Sequence, residues 1–80
     1  MTKNEIIAKV NSVLAEEFEV DESIITPEAN IKKTLELDSL SLVDMVALID
    51  NEFGVKIPNS ELASVPTFQA LYDYLEAHGA

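Results

Sequence analysis

Residues 38 to 54, DSLSLVDMVALIDNEFG, limit the fold more than any other stretch of this 80-residue chain. Asp38 has the short carboxylate that satisfies free amides at a helix start, and Gly54 accepts the left-handed backbone that follows a helix end. No proline or glycine lies between them. The spacing predicts a helix from Ser39 to Phe53. On a wheel of about 100° per residue, Leu42, Met45, Val46, Ile49 and Phe53 share one arc, which must face a core. Leu40, Val43 and Ala47 form a second arc, set off from the first by Ser39 and Asp50. Ser41, Asp44, Asn51 and Glu52 fill the polar remainder, with Leu48 stranded among them. An ordinary surface helix needs one apolar face. The second patch therefore implies a further contact: a short helix at residues 60 to 64, a cargo, or a partner.

The flanking segments read as helix as well. Thr2 and Glu5 have capping-box spacing, and Ile6, Ile7, Val10, Val13, Leu14 and Phe18 follow at helical intervals. Glu17 intrudes on that face and predicts a bend or fraying in the last turn. Residues 19 to 38 form an unusually long connection, barred from helix at Pro27. Val20, Ile24, Ile25, Ala29, Ile31, Leu35 and Leu37 are available to pin it to the core, so it is expected to be ordered. Pro58 and Pro66 bracket SELAS, residues 60 to 64, which fits one helical turn. Thr67 caps a last helix whose Phe68, Leu71, Tyr72 and Leu75 make one stripe, closed by Gly79. No alternating strand pattern competes. The expected fold is all-α: a small four-helix bundle, three longer helices and one short, with a long loop between the first two. One domain spanning 1 to 80 is expected, monomeric, with room for one small apolar cavity and not for an enclosed multi-residue active site.

Five lysines against fifteen carboxylates give a formal charge of −10. Phosphate backbones would be repelled, which excludes nucleic acid as a partner class. Basic protein surfaces would be attracted over a distance, an attraction that salt weakens. There is no cysteine, so disulfides and thiolate metal sites are excluded. The start, MTKNEIIAK, lacks a long apolar run, so neither a secretion signal nor a membrane span is read, and a cytoplasmic location is expected.

Ser39 stands at the first helical position, where free amides and the helix dipole favour an anion. A serine there is also a common structural choice beside a cap. As a nucleophile it lacks a neighbouring base: the one histidine, His78, lies near the far terminus, and no G-x-S-x-G elbow is present. Asp50, Asn51 and Glu52 cluster oxygen ligands, but the twelve-residue calcium loop with its central glycine is missing, so no specific metal site is expected.

Asp38-Ser39-Leu40, followed by Val43, Asp44 and NEFGVKIP at residues 51 to 58, resembles the acyl carrier proteins. The likeness runs the whole chain: its size, charge, capped first helix, long loop, and a final helix with Asp73-Tyr74 near its middle. It implies a carrier, not an enzyme. A separate phosphopantetheinyl transferase would attach 4′-phosphopantetheine from coenzyme A to Ser39 through a phosphodiester. The arm's thiol would carry acyl chains as thioesters to the synthases, reductases, dehydratases and transferases of fatty acid synthesis or a related polyketide or lipid route. Asp38 would cap the helix and help hold the transferase's metal ion. Glu36, Asp44, Asp50 and Glu52 would meet basic patches on partners, with Leu40, Val43 and Ala47 as the apolar contact. The acyl chain would enter a pocket lined by Val46, Ile57, Leu62, Ala63 and Leu71. Three positions depart from the family pattern. Glu36 stands where glycine is usual, Thr34 where aspartate is common, and Ser41 where another aspartate often follows. A peptidyl or D-alanyl carrier is the alternative within the class, although peptidyl carriers usually place glycine-histidine where Leu37-Asp38 stands. A cofactor-free acidic interaction domain is the alternative outside it.

Overall fold

A computed structural model describes all residues, 1 to 80. The fold is helical throughout: α1 (Lys3–Phe18), α2 (Ile31–Thr34), α3 (Ser39–Phe53), α4 (Asn59–Leu62) and α5 (Phe68–Ala77), with a 3-10 turn at Glu22–Ile24. The three longer helices and the short one before the last stand where the sequence places them. The first helix opens with the expected capping box, in which the Glu5 amide donates to Thr2 Oγ1 and the Thr2 amide donates to Glu5 Oε1. Glu17 does not fray its last turn. The helix runs to Phe18, Glu17 points outward, and the break comes at Glu19, whose φ of 54° is left-handed. At the end of α3, Gly54 supplies a φ of 69°, which glycine adopts without steric cost.

The connection between α1 and α3 is ordered, and it contains more structure than one loop. Asp21 caps the 3-10 turn through the Ser23 amide at 2.9 Å, and Asn30 caps α2 through the Lys33 amide at 2.9 Å. Backbone hydrogen bonds then stitch this segment to the start of α5: Ile31 to Pro66, Phe68 to Ala29 and Gln69 to Pro27. Ile25, Ile31, Leu35 and Leu37 are buried, and Val20 and Ala29 pack partly against them. Ile24 departs from the expected set. It is 42% exposed, because the tight turn that buries Ile25 directs its neighbour outward.

Sixteen buried residues, all hydrophobic, make the core. Ile6, Val10 and Leu14 of α1 face Phe68, Leu71, Tyr72 and Leu75 of α5, and Met45 and Ile49 of α3 close the third side. Tyr72 keeps its hydroxyl satisfied by donating to Asn11 Oδ1, so this burial strands no polar group. Lys9 ties α1 to the C-terminal end of α3. Its ammonium donates to the Glu52 carbonyl at 2.8 Å and lies 5.0 Å from the centre of the Phe53 ring. A cation there also favours the negative end of the helix dipole. Lys3 pairs with Asp73 and joins α1 to α5.

Removing Phe68, which is fully buried, should cost about 3–5 kcal/mol of unfolding free energy as Phe68→Ala. Leu40→Ala should change it by less than about 0.5 kcal/mol, because Leu40 is a surface residue. Urea unfolding of both variants checks the pair; equal losses would mean that the core is misplaced.

Candidate functional site

Leu37 and Asp38 fix the start of α3. Leu37 is buried, and its amide donates to the Lys32 carbonyl at 2.9 Å, which clamps the incoming chain. Asp38 takes extended backbone, and its Oδ1 accepts the Ser41 amide at 2.8 Å. That bond, with a smaller contribution from the Leu40 amide, holds the Asp38 carboxyl below the usual carboxylate range. Ser39 follows at the first helical position, exposed, with no hydrogen bond from its hydroxyl to the rest of the protein. The residue types thus put a free hydroxyl on a rigid, anion-favouring helix end.

Glu36 shows why its position is unusual. Its φ is 52°, in the left-handed region where a side chain costs about 1 kcal/mol or more and glycine does not. The chain makes this turn before the motif with a glutamate, and the exposed carboxylate is carried beside Ser39's approach.

The second apolar arc of α3 is uncovered. Leu40 is 76% and Val43 56% exposed, so α4 does not pack over it, as the simplest expectation had allowed. Leu40, Val43, Asp44, Ala47 and Asp50 all lie on open surface with Ser39. Val43, Val46, Ala47 and Asp50 share a shallow groove with Lys56, Ile57, Pro58 and Asn59. Glu52 is not part of this face. It is half-buried, 3.9 Å from the Lys9 ammonium, and borders an acidic depression with Glu16, Glu17 and Glu19. Leu48 lines that depression too and packs partly on the core, which accounts for an apolar residue on a polar arc.

One cavity of about 180 Å³ opens between α2, α3 and α4. Ile57, Leu62 and Ala63 line it, as expected, but Val46 and Leu71 do not. Val46 turns to the shallow groove, and Leu71 is fully buried in the contact with α1. The rest of the lining was not foreseen: Asn30, Ile31, Lys32, Leu42, Met45, Val65 and Pro66. Asn30 followed by an isoleucine was a readable cap, which would have brought the α2 residues into view. Leu42 lies three residues along α3 from Ser39, so the cavity begins about one turn from the hydroxyl. His78 is engaged elsewhere, stacked on the Tyr74 ring at 4.0 Å with Nδ1 2.8 Å from the Tyr74 carbonyl.

Residues 8–75 match the family model described as the phosphopantetheine attachment site. The chain belongs to the acyl carrier protein family. It is 37% identical over 78 residues to the acyl carrier protein of Rubrobacter xylanophilus, covering 98% of this chain and 96% of that one. It is 40% identical over 75 residues to the acyl carrier protein of Thermotoga maritima, covering 94% and 93%. In three dimensions it is similar to the thermally stable acyl carrier protein of Enterococcus faecalis, with a TM-score of 0.81 and 29% identity over 99% of this chain and 100% of that one. Family membership makes the chain a phosphopantetheine-bearing carrier of acyl groups rather than a catalyst, and the exposed, unbonded hydroxyl fits such a group.

Because the Asp38 carboxyl is lowered by its bond to the Ser41 amide, the stability it contributes is present above the ordinary carboxylate range and is lost as pH falls through the lowered value. Asp38→Asn keeps a capping oxygen but no charge. Wild type should therefore exceed this variant in urea stability at pH 7, and the gap should narrow steadily as pH falls below the ordinary carboxylate value of 3.8. A gap that does not change with pH would contradict the charge-assisted cap.

Proposed function

We propose that Ser39 is the residue that receives the 4′-phosphopantetheine arm, placed there by a separate transferase. The hydroxyl oxygen forms the phosphodiester, its proton leaves, and the nucleotide half of coenzyme A departs. The observation that carries this reading is the exposed, unbonded hydroxyl at the capped start of α3, inside the segment that matches the attachment-site family. The arm supplies a thiol for acyl thioesters. The chain's own residues do the rest.

Asp38 holds the first turn, so the backbone that carries the hydroxyl is fixed, and its second carboxylate oxygen remains available to the transferase's metal ion. Leu40, Val43 and Ala47 give partners an apolar contact, flanked by Glu36, Asp44 and Asp50, which attract basic surfaces. Such attraction raises encounter rates without making tight complexes, as a carrier serving many enzymes requires. The cavity beside Leu42 and Met45 gives the acyl chain an apolar refuge, and Met45 is an adaptable wall. Relatives named as acyl carrier proteins support acyl over peptidyl cargo. They also support fatty acid synthesis as the route.

Incubation with coenzyme A, magnesium and a broad-specificity phosphopantetheinyl transferase should add the mass of one arm to the wild type and nothing to Ser39→Ala, read by intact-protein mass spectrometry. No gain in the wild type, or the same gain in Ser39→Ala, would overturn the assignment.

A further inference from the structure

We propose that the hydrogen bond from Tyr74 of α5 to Glu61 of α4 is a latch that sets the length of acyl chain the cavity shelters. The proposal rests on the carrier reading above and names two residues that determine its cargo. The resting cavity measures about 180 Å³. An apolar protein cavity of about 150 Å³ accommodates benzene, so a chain of about six carbons fills this one. A longer chain must displace a wall.

The walls differ in how firmly they are held. Leu42 and Met45 belong to a fifteen-residue helix capped at both ends. Ile31 belongs to a segment stitched by its amide to the Pro66 carbonyl. Ile57 and Val65 are buried on either side of α4. The wall between them, Leu62 and Ala63, belongs to α4 and its C-terminal cap. That helix is one turn long, has no side-chain cap at Pro58, and contains no buried residue. The other hydrogen bonds of residues 58 to 64 stay within that segment or reach its immediate neighbour. A single hydrogen bond ties it to another element: Tyr74 Oη donates to Glu61 Oε2 at 2.5 Å. Tyr74 is itself braced by the His78 ring. The same bond raises the Tyr74 phenol above its ordinary value, so the hydroxyl stays a donor across the neutral range. Widening the cavity at α4 therefore means sliding Leu62 on the core and breaking this one hydrogen bond, and chains that fit without widening leave the bond intact.

The test uses arm-bearing carrier loaded with butyryl, hexanoyl, octanoyl, decanoyl or dodecanoyl groups. Cleavage of the thioester by hydroxylamine is followed by intact mass, relative to the same thioester on free pantetheine. In the wild type, protection should be high for butyryl and hexanoyl and fall with longer chains. Tyr74→Phe keeps the ring and its stacking but has no hydroxyl. Glu61→Ala removes the acceptor. Both should protect octanoyl and decanoyl about two- to tenfold better than wild type, the span of one net hydrogen bond. Glu61→Gln, which keeps an acceptor, should follow the wild type. Identical length profiles in wild type, Tyr74→Phe and Glu61→Ala would overturn the latch alone. If no chain length is protected in the wild type, the cavity is not the cargo site and the latch falls with it, while attachment at Ser39 stands.

Discussion

α3 must anchor one side in the core through Met45 and Ile49 while its first turn stays open, and the rest of the molecule is arranged around that requirement. Leu37 enters the core immediately before the motif, and Met45 and Ile49 enter it after. Ser39, Leu40 and Val43 stay out. An exposed residue is usually free to wander with its loop. Here the preceding residues are clamped by the Leu37–Lys32 bond and capped by Asp38, so the hydroxyl has a fixed place although it lies on the surface. The stitched connection serves the same end. Ile31 bonded to Pro66 and Phe68 bonded to Ala29 brace the approach to α3 against the start of α5, where Phe68 is fully buried.

The charges divide the surface into structural and open parts. With no polar side chain in the core, all of the carboxylates lie at or near the surface. Two of the five lysines are spent on internal ties: Lys3 to Asp73 on α5, and Lys9 to the end of α3. The neutralised carboxylates are thus away from Ser39, while Glu36, Asp44 and Asp50 around the open patch keep their field. An acidic surface attracts basic partners from a distance and repels itself, so the same charge that speeds encounter lowers the stability of the compact state. A small core that opens at one weak wall suits a molecule that must admit and release cargo.

What could be read from the amino-acid order was whatever depends on neighbours along the chain. Thr2 with Glu5, Asp38 with Gly54, and Thr67 before an apolar stripe set the boundaries of the three longer helices, because caps and 3.6-residue periodicity are local. The short elements were harder to read. Four residues of α2 are too few to show a period, so its cap, Asn30, was the one local signal of it. The direction of Ile24, the pairing of Glu52 with Lys9, and the separation of Val46 and Leu71 from the cavity depend on which elements meet. Periodicity along one helix does not contain that. Glu36 was visible only as a departure from a pattern; the positive φ gives its physical meaning.

The measurement that bears most directly on Ser39 is the mass of the protein purified from its native host, followed by peptide mass spectrometry of the segment around residue 39. A carrier role requires the arm on Ser39, with a part of the population bearing acyl groups. Material that is uniformly bare at Ser39 while the host makes its fatty acids normally would contradict it.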